Sequence, residues 1–275
     1  MKRPNTCVNL IKAINTLSKG MDAVRVSRCM ANIIVGQMLP DGVVKGGSSL
    51  MFRYGEQFTR YTRDVDTARV MDLQQYKSCL DEALSKGWNG FTGELIEVPP
   101  PEPEGVPKSY VMIPYDIKLK YIGRPWQTIR IEIGHNEIGD ADDCDSYLPE
   151  EMTGIFEQLS FPKPQPLPLM KLSYQIAQKL HAVSEEGSVR AHDLIDLQLM
   201  ALHSELDYAD IRSKCLRLFD YRREQSWPPK LVKGETWKRV YEEARATLRD
   251  ATGVLESIDD AVVWANELIA KIAEA

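Results

Sequence analysis

A glycine-rich turn followed by two aspartates is the stretch of this sequence best suited to chemistry. Gly46 and Gly47 precede Ser48, and Asp64 and Asp66 flank a valine further along. Glycines let a backbone approach a bound anion closely, and a serine opening a helix offers N–H groups and a hydroxyl. Two carboxylates on one strand face suit Mg²⁺, which completes its shell with waters and phosphates. Together these groups would bind a nucleoside triphosphate and align a hydroxyl with its α-phosphorus.

The order and spacing of these elements are more specific than either element alone. A Gly-Gly-Ser turn is often just a turn, and an Asp-x-Asp pair is often a solvated strand edge. GGSSL followed by RYTRDVD resembles the first motif of the polymerase-β-like nucleotidyltransferase superfamily. It resembles the AbiEii/AbiGii-type toxin nucleotidyltransferases more closely, whose pattern is GG[ST]xL and then RxSxDxD. Arg60, Thr62, Asp64 and Asp66 fill the second element, and the resemblance places Arg60 among the nucleotide-binding residues.

A second resemblance lies in QIAQKLHAV and RAHDLIDL. AbiEii-type toxins have an AxKlxAl helix followed by an [RK]DxxDL helix, and His192 stands here where a lysine or arginine is frequent. The resemblance implies that Lys179 binds triphosphate oxygens and that Asp193 is a catalytic carboxylate. It also implies that Asp196 orients Lys179 or an arginine. The alternative is a purely structural salt bridge between Lys179 and Asp193 or Asp196.

The segment TIRIEIG is the candidate source of a third carboxylate. Its alternation places Ile129, Ile131 and Ile133 on one strand face and Arg130 and Glu132 on the other. The superfamily commonly supplies a third metal-binding carboxylate from a neighbouring strand, and Glu132 is the best placed candidate. The alternative is that Glu132 is a surface residue paired with Arg130 or a lysine.

Hydrophobic spacing predicts the elements that must position these residues. Helices are predicted at 5–19, 21–38, 50–54 and 72–86, the last of them begun by an aspartate and ended by Gly87. Strands are predicted at 92–98, 110–121 and 127–133. The proline-rich PPPEPEGVP between the first two strands is predicted to be an exposed loop.

Composition changes near PKPQPLPL, where a strand-rich half gives way to a helical half. The prediction is therefore an α/β (α+β) fold. It comprises a nucleotidyltransferase core domain at 1–165, with a small mixed sheet and flanking helices, and a C-terminal helical domain at 166–275. The family resemblance covers about residues 43–200 and implies that the triphosphate binds between the two domains.

Composition bounds the class of protein. The 275 residues are 43% hydrophobic and 27% charged, as in an ordinary globular protein. Without a long apolar segment or a signal-peptide pattern, the expectation is a cytoplasmic protein without membrane contact. Five scattered cysteines and four unclustered histidines argue against a zinc site or a disulfide framework.

The net charge of −6 argues against non-specific coating of nucleic acid, but a local basic face remains compatible with RNA binding. Nine basic residues and only three acidic ones lie between Arg212 and Arg239, interleaved with Phe219, Tyr221, Trp227 and Trp237. Positive charge would contact phosphates. The basic residues are therefore predicted to bind RNA and the aromatic ones to be core.

The resulting hypothesis is a Mg²⁺-dependent nucleotidyltransferase toxin of a toxin–antitoxin or phage-defence system. Similarity to the toxin family implies transfer of nucleotides from NTP to an RNA, in particular a tRNA 3′ end. It also implies a block of translation that a cognate antitoxin relieves. Two alternatives stay open: a nucleotide- or RNA-binding protein without turnover, and NTP-dependent modification of a protein target.

Overall fold

The computed structural model describes residues 2–18, 22–100 and 111–275. The chain divides into two compact units. The first unit comprises Met1–Gly55, Thr62–Asn136 and Ala141–Leu169, and the second comprises Glu56–Tyr61, Glu137–Asp140 and Met170–Ala275. The main division thus falls after Leu169, whereas the sequence placed it after residue 165. Two short excursions of the earlier chain also belong to the second unit, which a change of composition cannot reveal.

The described helices of the first unit are α1 (Cys7–Leu17), α2 (Ala23–Gly36), α3 (Gly46–Tyr54), α4 (Leu73–Lys86) and α5 (Glu150–Gln158). Its described strands are β1 (Gly42–Lys45), β2 (Asp64–Arg69), β3 (Phe91–Thr92), β4 (Leu95–Glu97), β5 (Ile113–Tyr121), β6 (Arg124–His135), β7 (Cys144–Tyr147) and β8 (Leu167–Met170). Asp72 caps α4 by accepting from the backbone N–H groups of Gln74 and Gln75, as its position before the apolar pattern predicted.

The strands form one mixed sheet in the order β3-β5-β6-β2-β1-β8-β7, and β4 also pairs with β5, next to residues 115–117. Strand β2 runs parallel to β6 and antiparallel to β1, while β5 and β6 form an antiparallel hairpin. The predicted fold class, a small mixed sheet with flanking helices followed by a helical segment, is confirmed.

One face of this sheet is buried and the other is polar. Ile129 and Ile131 are fully buried beside Val65 and join a core with residues of α1, α2 and α4. The period of two along each strand turns the residues between them to the opposite face. The sheet therefore presents Arg130 and Glu132 away from the core, as the alternation predicted.

Several predicted boundaries differ from the observed ones. Helix α3 begins at Gly46 instead of residue 50, so the glycine pair lies in its first turn. The strand predicted at 92–98 is two short strands, because Gly93 leaves the ladder and donates its N–H to the carbonyl of Leu84. Strand β6 is longer than predicted at both ends. Residues 101–110, which include most of the proline-rich loop, lie outside the described residues.

The second unit is helical. Its described helices are α6 (Leu172–Ser184), α7 (His192–His203), α8 (Tyr208–Arg222), α9 (Trp237–Arg245) and α10 (Ile258–Glu274), and Glu56–Phe58 adds a 3₁₀ turn. Phe219 and Trp237 are buried in its core as predicted, whereas the prediction was wrong for Tyr221, which is exposed. Among the described residues, no helix has the length and apolar character that crossing a membrane requires.

Candidate active site

Three carboxylates lie side by side on the polar face of the sheet. Asp64 and Asp66 are on β2, and Glu132 on the adjacent β6 stands directly opposite Asp66 in the parallel pairing. Val65 is fully buried between the two aspartates, so their side chains turn to the other face. The structure thus brings together the three residues that the sequence proposed as metal ligands.

Gly46 shapes the space around Asp66. Its φ angle is +62°, a conformation that favours glycine, and a Cβ there would stand 2.0 Å from Oδ2 of Asp66. Glycine is therefore required both by the backbone conformation and by the neighbouring carboxylate. We call this contact, in which the Gly46 backbone closes on the Asp66 carboxylate and leaves no room for another side chain, the Gly46 cradle.

The start of α3 is joined to β2 through Ser48. The hydroxyl of Ser48, which is fully buried, donates to the backbone carbonyl of Asp64. Lys45 occupies the N-cap position and makes no side-chain capping hydrogen bond. The first N–H groups of a helix have no intrahelical partner and favour anions, so the backbone of Gly46 and Gly47 suits a phosphate better than the Ser48 hydroxyl does.

Asp64 and Glu132 have raised pKa values on this face. Burial raises the pKa of Asp64, and the positive charges of Arg130 and Arg28 oppose that rise. Burial and then the charges of Asp66 and Asp64 raise the pKa of Glu132. A divalent cation would remove this repulsion.

The donor set fits a hard divalent cation. The described residues contain no group of three or more His, Cys, Asp or Glu side chains already arranged around a common metal position. Mg²⁺, however, commonly takes only one or two protein carboxylates and prefers oxygen donors. Asp64 and Asp66 provide such donors beside the Gly46 cradle, and Glu132 provides a further one. These ligand roles stay predictions.

The second unit contains a buried ion network around Lys179. Its Nζ lies 2.7 Å from Oδ1 of Asp193 and 2.6 Å from Oδ2 of Asp196. Arg60 forms a fork with Asp196, with Nε–Oδ1 and Nη2–Oδ2 distances of 2.9 Å each. Arg190 Nε lies 2.6 Å from Oδ2 of Asp193. The structural salt bridge considered from the sequence is therefore present with both aspartates.

The network determines the protonation of its members. Burial alone would raise the pKa of Asp193, but the charges of Lys179 and Arg190 outweigh it and hold that pKa well below its usual range. Burial lowers the pKa of His192 to about 4, so this ring is neutral where the family frequently has a cation. The catalytic and nucleotide-binding roles of Lys179, Asp193 and Arg60 remain predictions.

Most of the basic segment between Arg212 and Arg239 is paired with acids from outside it. Arg222 binds Glu137 through Nη2–Oε2 and Nε–Oε1 contacts of 2.6 and 3.2 Å. Further pairs are Lys214 with Asp210, Lys233 with Asp259, and Arg239 with Glu243. Counting charges within the segment could not reveal these partners. Within the described part of the chain, Arg212, Arg223 and Lys230 are exposed and have no acidic partner within 4 Å.

Sequence reasoning missed one cation of the polar face, Lys45, and the ion-pair partner of another, Arg130. Lys45 lies on β1, opposite Asp66 of β2. Its Nζ reaches Gly134 on β6, where an added Cβ would stand 3.1 Å from it. Arg130 Nε lies 2.7 Å from Oδ1 of Asp116, its partner across the β5–β6 hairpin. The alternation in YDIKLKY is compatible with Asp116 on a polar strand face, but only the register relates Asp116 to Arg130.

Comparisons with known proteins identify a matching family and a similar fold. The family model described as "Nucleotidyl transferase AbiEii toxin, Type IV TA system" matches residues 29–263. MenT4, a nucleotidyltransferase toxin from Mycobacterium tuberculosis, has a similar fold, with a TM-score of 0.51 and 16% identity over 92% of each chain. JHP933 from Helicobacter pylori gives a TM-score of 0.44 at 16% identity, covering 90% of this chain and 89% of that chain. No curated protein matches the sequence.

Proposed function

Because this chain belongs to the AbiEii family of nucleotidyltransferase toxins of type IV toxin–antitoxin systems, we propose that it transfers nucleotides from NTP to the 3′ end of an RNA, in particular tRNA. The family match confirms the resemblance to AbiEii-type toxins that GGSSL and RYTRDVD indicated. The family implies an antitoxin partner. We further propose that added nucleotides remove the 3′ hydroxyl from its normal position on tRNA, which blocks translation in the cytoplasm.

The observation on which the proposal rests is the triad of Asp64, Asp66 and Glu132 beside the Gly46 cradle. Asp64 and Asp66 would hold Mg²⁺, which when bound would neutralise phosphate charge and increase the acidity of the attacking hydroxyl. The first turn of α3 would bind phosphates through backbone N–H groups. The acceptor hydroxyl would lose its proton to water and form a P–O bond at the α-phosphorus, and the bond from that phosphorus to the leaving pyrophosphate would break. The protein contributes alignment and fixed charges.

RNA is favoured over a protein acceptor by cations that no acid neutralises. Arg212, Arg223 and Lys230 are exposed in the second unit without an acidic partner in the described ranges. A polynucleotide acceptor needs such charges, because phosphate contacts dominate nucleic-acid affinity. A protein acceptor has no such requirement.

Incubation with each labelled NTP, total RNA and total protein tests the function. We expect label in RNA for the wild type and none for Asp64→Asn or Asp66→Asn, each of which should keep its fold. Lys120→Gln is a matched surface control, because Lys120 forms an ion pair with the exposed Glu94 at 3.1 Å and with no other described residue. If the label appears in protein instead of RNA, the acceptor is a protein and the proposed RNA acceptor is wrong. A near wild-type rate for either aspartate variant at saturating Mg²⁺ would remove that residue from the metal site.

A further inference from the structure

A row of cations on the polar face of the β5–β6 hairpin leads towards Asp64. Lys118 on β5 stands opposite Thr128 on β6, and Asp116 stands opposite Arg130. Arg130 in turn is opposite Asp64 on β2. These residues have the same strand parity and share one face. Each such cross-strand pair is called a row, and successive rows on a strand face are separated by roughly 6.6–6.8 Å. The row of Lys118 and Thr128 therefore follows the row of Asp116 and Arg130 on the side away from Glu132.

The side chains of these rows are accessible and positioned. The side chain of Arg130 is 38% exposed, and Asp116 fixes its Nε while the planar fork has further donors. Lys118 and Thr128 are both exposed, with Nζ 3.2 Å from Oγ1. Lys118 has no acidic partner among the described residues, and Arg130 neutralises Asp116. Lys118 therefore offers an uncompensated positive charge to a ligand, whereas Arg130, which lies between Asp116 and Asp64, offers its remaining N–H donors.

Arg28 adds a third cation on this side. Its side chain, from α2, donates to the carbonyl of Thr128, and its charge acts on Asp64 together with that of Arg130. The sheet order β5-β6-β2-β1 places Lys118 and Arg130 on one side of β2. The Gly46 turn lies on the other side, at the end of β1, whereas the Lys45 side chain reaches across β2 to Gly134 on β6. Two different phosphate-bearing groups could thus approach the carboxylates from opposite sides of β2.

We propose that Lys118, Arg130 and Arg28, together called the hairpin track, bind the phosphodiesters of the acceptor polynucleotide. The acceptor 3′ hydroxyl then lies at Asp64, with its last phosphate at Arg130 and the preceding one towards Lys118. This inference rests on the proposed transfer to RNA and adds where the acceptor strand binds. Arg130 suits the phosphate nearest the reaction because its fork can bind two oxygens at once, whereas Lys118 acts as a point charge.

The variants Lys118→Gln and Arg130→Gln test the track against Lys120→Gln. Lys120 lies on the same strand and face, but Glu94 neutralises it. Binding of unfractionated tRNA and of a single-stranded RNA oligonucleotide is measured without NTP at several salt concentrations. The KM for RNA and the affinity for NTP are measured in parallel. Because Lys118 is remote from Asp64 in register, its variant separates acceptor binding from any effect on the charge of the carboxylates.

We expect each track variant to weaken RNA binding roughly threefold to tenfold and to lower the log–log salt slope by about 0.7, with NTP affinity unchanged. Lys120→Gln should match the wild type in all of these. Wild-type RNA binding and salt slope in both track variants would overturn the track while leaving transfer to RNA intact. Transfer of label to protein alone would contradict the proposed RNA acceptor. It would also contradict the hairpin track, because the track is proposed to bind that RNA. Equal losses of RNA and NTP binding would assign these cations to the nucleotide.

Discussion

Gly46 and Asp66 are in such close approach that no side chain fits between them. A Cβ on Gly46 would stand 2.0 Å from Oδ2 of Asp66 and 3.0 Å from its Cγ. The two residues are brought together by the β1–β2 pairing, in which the preceding Lys45 is opposite Asp66. The glycine motif and the aspartate motif are therefore one steric unit, and each constrains the residue allowed in the other.

Gly46→Ala should inactivate the enzyme while Gly123→Ala should not. Both glycines have positive φ angles, +62° and +70°, so both alanine variants bear a backbone cost of about 1–3 kcal/mol. Only the Gly46 variant must also displace Asp66, because Gly123 has open space around it. A displacement of a catalytic group by about 1 Å can lower the rate roughly 10²-fold.

The measurement is kcat for NTP turnover alongside the free energy of unfolding in urea. Equal activity in the two variants at equal stability would show that Asp66 moves without consequence, and the Gly46 cradle would lose its role.

Glu132→Gln should stabilise the metal-free protein at neutral pH while it lowers activity. Burial, Asp66 and Asp64 raise the pKa of Glu132, so its ionisation costs the folded state stability. That cost is absent when the pH is below 4.5, the ordinary pKa of a glutamate, and it is fully present when the pH is above the raised pKa of Glu132. Removing like charge beside Asp66 on the adjacent strand should contribute about 0.2–1 kcal/mol.

Urea unfolding in EDTA at pH 4 and pH 7.5 checks this sign. The variant should gain stability over the wild type only at the higher pH, and added Mg²⁺ should reduce the gain because metal binding stabilises the wild type. A variant less stable than the wild type at pH 7.5 would mean that Glu132 makes a favourable ion pair instead.

The acidic triad could be predicted from the sequence because the alternation that places each carboxylate is visible within its own strand. Alternation around Val65 and in TIRIEIG set the faces of Asp64, Asp66 and Glu132, and each strand shows that alternation in its own residues. Pairings between distant segments were less accessible. Arg222 with Glu137, and Arg130 with Asp116, depend on helix packing and strand register, which composition within one segment cannot show. The basic segment was overestimated for this reason.

Lys179→Met should destabilise the fold by about 3–5 kcal/mol, because it leaves two buried carboxylates without their shared cation. Asp193 and Asp196 are 0% and 1% exposed, and Lys179 bridges them. Lys233→Met is the matched control, since Lys233 pairs with Asp259 at an exposed position and should contribute at most about 1 kcal/mol. Urea denaturation of both variants at pH 7 measures the difference.

The loss of stability in Lys179→Met should depend on pH. Lysine and arginine neighbours hold the pKa values of Asp193 and Asp196 below the ordinary 3.8 despite their burial. Stability from a depressed carboxyl pKa is present above the unfolded value and is lost as the pH falls through the folded one. The deficit of Lys179→Met should therefore shrink between pH 5 and pH 2.5. If NTP affinity falls without a stability loss, Lys179 binds the triphosphate as the family resemblance implies.

Arg222→Gln should lower stability without changing RNA affinity. Arg222 makes two charge-assisted hydrogen bonds to Glu137, which is 4% exposed, and such bonds contribute about 1.5–3 kcal/mol each.

The matched comparison is the double variant Arg223→Gln/Lys230→Gln, which removes two exposed charges and should change stability by less than about 0.5 kcal/mol. Thermal unfolding and RNA binding across a salt series are measured for both proteins. A solvated surface predicts an unchanged salt slope for the double variant, whereas a phosphate-binding surface predicts a decrease of about 0.7 for each phosphate that is no longer bound. A decreased slope for Arg222→Gln at wild-type stability would contradict its structural role and return this helix to the RNA-binding surface.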